Sequence, residues 1–130
     1  MQMQPVSGGL ERPPLPHSQM IDMTTTGRRT GLPRRIEIAL HNFDGRLYIS
    51  GLPNRTRTRA WLLNLANDPR LVLHLKGSAD ADLQASARII ADEAERRAIF
   101  ARLVRVWRGL DVETMLRFSP LIEVTLPDQA

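Results

Sequence analysis

The chain contains no cysteine, which excludes a disulfide framework, a thiolate zinc site and a cysteine nucleophile. Lysine is almost missing as well: Lys76 is the one lysine among 18 basic residues. Aromatics are scarce, and between Arg28 and Arg59 only Phe43 and Tyr48 occur, neither inside a basic cluster. Proteins that bind single-stranded nucleic acid usually interleave aromatics with their basic groups, so nucleic acid ranks low as a partner. No apolar run is long enough to cross a bilayer and no charged-then-apolar leader opens the chain, which makes the cytoplasm the expected compartment. His17, His41 and His74 show no HxH or HExxH spacing, so no metal site is expected. A P-loop and a Rossmann glycine pattern are both absent.

What the chain does have is gathered positive charge. Eight arginines and two acids fall between Arg28 and Arg59, whereas the whole chain carries a formal +4. They form two loop-like clusters, Gly27 to Arg35 and Pro53 to Arg59, separated by a segment that reads as a hairpin. Guanidinium forks presented from paired loops suit a multiply anionic ligand, because each can hold a phosphate or carboxylate by two parallel hydrogen bonds. Gly27 and Gly31 in the first cluster permit close backbone approach and positive φ, so amides as well as guanidinium groups can face the anion. An Arg-rich surface that merely follows codon usage is the competing reading.

At 130 residues the chain is long enough for one domain with a single core. Residues 1–18, with Pro5, Pro13, Pro14 and Pro16, read as a mobile tail, and 19–130 as the folded domain. Ile21 to Thr26 is rich in β-branched residues and predicts a first strand. Ile36, Ile38 and Leu40 alternate with polar neighbours, and Asp44-Gly45 before Leu47 to Ser50 predicts a hairpin. Thr58 is placed to cap a helix carrying Trp61, Leu62 and Leu65 inward and ending before Pro69. Leu71 to Leu75 reads as a strand buried on both faces, and Leu83 to Ile89 as one with a wet face. Asp92 and Glu95 have capping-box spacing ahead of a helix bearing Phe100, Leu103, Val104 and Trp107 and ending at Gly109. Asp111 caps a last short helix, and Leu121 to Leu126 is the last strand. Six strands with intervening helices describe a mainly β, α+β fold: a small six-stranded barrel with flanking helices. Asp80 and Asp82 read as solvated loop acids, His74 as a packed or outward-facing strand residue, and Glu93–Arg97 as a helix-surface pair.

The order of these parts carries a resemblance. Thr25-Thr26-Gly27-Arg28-Arg29-Thr30-Gly31-Leu32-Pro33-Arg34, the strand ending Ile49-Ser50, and Trp61 through Leu71 together resemble the deazaflavin-dependent nitroreductase and quinone-reductase family, over Met23 to Thr125 and leaving out residues 1–20. That resemblance implies a split β-barrel of the FMN-binding type and a cofactor, coenzyme F(420), with FMN as the alternative. It places Arg28, Arg29, Thr30 and Arg34 on the phosphate and acidic tail, and Ser50, with Gly51 beside it, next to the cofactor. Trp61 matches a family tryptophan but weighs more heavily as core. Where family members commonly show Gly-Gly after the strand serine this chain has Gly51-Leu52-Pro53, and Leu62 stands where many have tyrosine. Arg55 and Arg57, with Arg59, are candidate replacement tail contacts.

Two function classes follow. The first is an oxidoreductase passing hydride from reduced coenzyme F(420) to a small hydrophobic acceptor, namely a quinone, nitroaromatic or activated alkene, with no catalytic residue assigned and a homodimer left open. The alternative is a non-catalytic carrier of a flavin, a deazaflavin or a haem-like ligand, with a basic nucleic-acid-binding module ranked last.

Overall fold

The computed structural model describes residues 18–56, 58–76 and 80–127. The tail expected at 1–18 lies outside these residues except for Ser18, which opens the first strand. The elements are β1 (Ser18–Thr26), β2 (Pro33–Phe43), β3 (Arg46–Ser50), α1 (Ala60–Asn67), β4 (Arg70–Leu75), β5 (Ala81–Ile89), α2 (Glu93–Leu103), α3 (Val112–Phe118) and β6 (Leu121–Thr125). The strands close into an antiparallel barrel in the order β1-β2-β3-β6-β5-β4. This is the six-stranded, split-barrel-like architecture read from the sequence.

The β2–β3 hairpin shows why the local sequence folds this way. Phe43 pairs with Arg46 across a two-residue loop. Both loop residues take positive φ, Asp44 at 59° and Gly45 at 89°, as a turn matching the twist of its strands requires. The Gly45 N–H also donates to Asn42 Oδ1 at 2.8 Å. Beyond the turn, alternation sends Leu47 and Ile49 into the barrel and Tyr48 outward beneath the helices.

Two apolar clusters result. Ile21, Met23, Leu40, Leu47, Ile49, Leu71, Leu73, Ile122 and Val124 fill the barrel, plugged at one side by Trp61 and Leu65 of α1. Outside it, Phe100 and Leu103 of α2 and Met115 of α3 pack with Phe43, Tyr48 and Leu121. Burying one such side chain contributes roughly 1.5–3 kcal/mol, so α2 and α3 are held by a second core and not by their short hydrogen-bond ladders.

The structure corrects several local expectations. The residue before α1 that acts as its cap is Arg59, not Thr58, and it makes no side-chain capping bond. β4 alternates, with Leu71 and Leu73 buried and Val72 and His74 half-covered, because one face of the barrel wall meets no second layer there. α2 stops at Leu103, short of Gly109. The Arg105 and Val106 amides reach back only three residues, to Arg102 and Leu103, so the chain tightens while Trp107 still bonds Leu103. Asp82 is a strand residue: its carboxylate meets His74 Nδ1 at 2.8 Å, and His74 Nε2 lies 2.7 Å from Thr24 Oγ1. The Asp92 and Asp111 caps form as read, accepting from the Glu95 and Thr114 amides at 2.9 and 2.8 Å.

Candidate functional site

The chain leaves β1 at Thr26 and returns as β2 at Pro33 through a turn that closes on itself. Gly27 N donates to Leu32 O and Gly31 N to Gly27 O, each at 2.8 Å, and the Thr30 hydroxyl accepts from Leu32 N at 3.1 Å. A Cβ at Gly27 would come within 3.1 Å of Leu32 O, a tight contact with the turn's own backbone. Gly31, at φ 75° with open space around it, is the position that demands positive φ.

This turn docks on α1 through Asn64, which sequence reasoning placed in the helix without assigning it a role. Asn64 Oδ1 accepts from the Arg28 amide at 3.1 Å and from its guanidinium at 3.3 Å, while Nδ2 donates to Thr25 Oγ1 at 3.1 Å. Asn64 and Thr25 are both buried. The signal was present in the sequence: Asn64 falls at i+3 from Trp61 and beside Leu65, a polar residue on the helix face that must be buried.

Between turn and helix lies a groove of about 550 Å³ whose lining includes Gly27, Arg28, Arg29, Thr30, Arg34, Arg35, Trp61 and Asn64. Among the described residues four arginines and no acidic residue line it. Arg35 is held by Asp22 at 2.9 Å, whose carboxyl the Lys76 and Arg35 hydrogen bonds keep below the usual carboxylate range. Arg28, Arg29 and Arg34 have no carboxylate partner among the described residues. The structure thus brings together Arg28, Arg29, Thr30 and Arg34 of the expected set.

Ser50, Gly51 and Arg55 do not line this groove. Ser50 is buried, its hydroxyl donating to Pro120 O at 2.5 Å, and it lines neither this groove nor the one described next. A Cβ at Gly51 would meet the Arg59 guanidinium at 2.9 Å, and that guanidinium donates to Leu52 O. Arg55 stacks over the Phe118 ring at 4.4 Å and lines a second groove of about 430 Å³, which borders α1 at Arg59 and Leu62. Arg57 lies outside the described residues. Among the described residues no cluster of three or more His, Cys, Asp or Glu is placed to hold a metal, and no helix is long and apolar enough to cross a membrane.

A family model described as F420H(2)-dependent quinone reductase matches residues 2–124. The chain belongs to that family. Its match takes in the proline-rich start that the sequence resemblance had left aside. The quinone-reductase fold assignment is supported by solved structures. An F420-H2 dependent reductase (FDR-A) has a TM-score of 0.59 at 20% identity, over 81% of this chain and 92% of that one. A conserved hypothetical protein from Mycobacterium tuberculosis gives 0.67 at 14%, over 84% and 73%. A putative pyridoxamine 5'-phosphate oxidase from Listeria innocua gives 0.57 at 14%, over 84% of each chain. No protein of curated function matches the sequence. As a member of this quinone-reductase family the chain is a coenzyme F(420)-dependent reductase, and the groove's charge suits an anionic cofactor: Arg28, Arg29 and Arg34 line it without a carboxylate partner among the described residues.

Proposed function

We propose that the 550 Å³ groove holds the phosphate and acidic tail of coenzyme F(420), with Arg28, Arg29, Thr30 and Arg34 as contacts, and that the electron acceptor is a quinone, with nitroaromatics and activated alkenes as further substrates. The observation that carries the reading is the convergence of Arg28, Arg29 and Arg34 on one groove that no acid lines among the described residues. A cavity so charged binds a neutral ligand poorly and a multiply anionic one well, and charge-assisted contacts contribute about 1.5–3 kcal/mol each.

When bound, the reduced deazaflavin supplies a hydride. The chain's own residues fix the ligand and shape the space around it. Asn64 holds Arg28 in place from below, and buried Trp61 offers an apolar wall. A quinone that accepts a hydride needs one proton to become a hydroquinone. Among the described residues neither groove is lined by a histidine or an acidic residue, so this scheme takes the proton from solvent.

The test is a pair of measurements on the purified protein. Coenzyme F(420) should raise the melting temperature more than riboflavin, which shares a tricyclic ring but lacks the charged tail. With reduced cofactor and a quinone panel, cofactor absorbance should return to the oxidised form faster with protein than without. Equal shifts for the two ligands would remove the tail site, and tight binding without turnover on any acceptor would favour the carrier reading.

A further inference from the structure

The second groove has its own chemistry. Its floor is apolar, formed by Leu62, Ile89 and Leu121. Among the described residues four arginines and no acidic residue line it, as in the first groove. Two of the four are already occupied. Arg96 donates to the Ile90, Leu116 and Ser119 carbonyls at 3.2, 3.0 and 2.9 Å, closing the end of α3, and Arg59 donates to Leu52 O. The other two, Arg55 and Arg117, stack on Phe118 at 4.4 and 5.6 Å and have no carboxylate partner among the described residues.

Ser119, also in the lining, is 5% exposed, and its hydroxyl is buried with no hydrogen-bond partner among the described residues. A buried hydroxyl is nearly always paired, and leaving one unpaired costs free energy. Ile89, by contrast, is a large apolar side chain left 38% exposed at the same place. One ligand would resolve all three: a flat ring system to cover Ile89 and lie beside Phe118, a negative substituent for Arg55 and Arg117, and a polar atom for Ser119. A groove of about 430 Å³ falls within the usual range for small-molecule sites.

We propose that this groove is a second ligand site, separate from the cofactor groove, and that it takes planar small molecules bearing an anionic substituent, a carboxylate or sulfonate on a bicyclic ring. That it takes a planar anion rests on the groove alone; that it is separate from the cofactor's place rests on the cofactor reading above. Arg55, expected from the sequence among the tail contacts, is here assigned to this second ligand.

The redox-inert pair naphthalene-2-carboxylate and naphthalene-2-carboxamide tests this by calorimetry on the full chain. The carboxylate should bind about tenfold more tightly than the amide, the size of one charge-assisted contact. Arg55→Gln and Arg117→Gln should each remove most of that preference and leave amide binding within about twofold. Both side chains are exposed, so unchanged melting temperatures verify the fold of these variants. Ser119→Ala should weaken carboxylate binding without lowering the melting temperature, because it deletes an unpaired buried group. Oxidised coenzyme F(420) should leave naphthoate affinity in place, since it occupies the other groove. Equal affinity for acid and amide, preference unchanged in both Gln variants, or displacement of naphthoate by the cofactor overturns the proposal. Naphthoate bound as expected while coenzyme F(420) fails to bind sinks the cofactor reading and leaves the planar-anion site standing.

Discussion

Asn64 accepts from both the amide and the guanidinium of Arg28, at 3.1 and 3.3 Å, across 36 residues of sequence. One buried amide therefore fixes where the basic turn sits on α1 and how one of its arginines is aimed. In Asn64→Leu the Arg28 amide and Thr25 hydroxyl lose their partner, a cost of about 1–3 kcal/mol in stability. Cofactor affinity should fall further than the melting temperature implies, measured by titration well below the transition, because the turn loses its position. Undiminished affinity in a folded Asn64→Leu protein would show that the turn holds itself.

Arg29 makes no ion pair among the described residues yet lines the groove proposed for the cofactor. Arg29→Ala should weaken coenzyme F(420) binding by about 1.5–3 kcal/mol and change the melting temperature of the free protein little. Arg105→Ala is the appropriate control, an exposed arginine in neither groove. Arg96 is unsuitable, since it donates to three backbone carbonyls and its removal would act on the fold.

Ser50 ties the end of β3 to Pro120, the residue before β6. Ser50→Ala should cost about 1–3 kcal/mol by stranding that carbonyl, read from chemical denaturation. Ser50→Tyr should cost at least as much through overpacking, so a loss of activity in it would be accompanied by a lower melting temperature. A Tyr variant that melts normally and loses only cofactor binding would place Ser50 on the ligand after all.

His41 is fully buried, with Nδ1 at 2.8 Å from Ser18 Oγ, Nε2 unpaired among the described residues, and Trp107 edge-on at 5.0 Å. Burial lowers its pKa from 6.5 to about 4. The neutral ring is the one the fold accepts, so its contribution is complete above pH 6.5 and declines as pH falls toward 4, by at most about 3 kcal/mol. Asp22, Glu95 and Glu123 have lowered pKa values from their basic hydrogen-bond partners, and their contributions are lost only below the ordinary carboxylate range. Stability measured between pH 6.5 and 4.5 should therefore slope downward in the natural protein and flatten in His41→Phe. An identical slope in both would assign the acid sensitivity to other groups.

The parts of this molecule that could be read from sequence are those whose physics is local. Asp44-Gly45 specifies its turn because two adjacent residues must take positive φ, and the aspartate caps need only three residues to be recognised. The basic turn stood out as a candidate anion site because its charge is contiguous. The end of α2 was not, because apolar spacing reports what is buried and not which amide bonds which carbonyl; Trp107 stays on the core side after the helix has tightened. The separation of Arg55 from Arg28 and the internal bonding of Ser50 and Arg96 are set by where the barrel brings distant segments, and no spacing in the chain records that. Asn64 lay between these cases, visible as a misplaced polar residue but with partners 36 and 39 positions away.

The long strand β2 has a further consequence. Pro33 to Ala39 pairs with β1, and β3 joins β2 only from Leu40 onward, so among the described residues this barrel contains a stretch with a single neighbouring strand. Such an exposed ladder invites addition of a strand from another molecule, the first step of edge-to-edge aggregation. The run here starts with a proline, which has no N–H to offer, and continues through Arg34, Arg35 and Glu37, all exposed. Charges that line the groove proposed for an anion also make this ladder a poor template for another polypeptide, so replacing Arg34 and Arg35 with apolar residues should expose the protein to self-association.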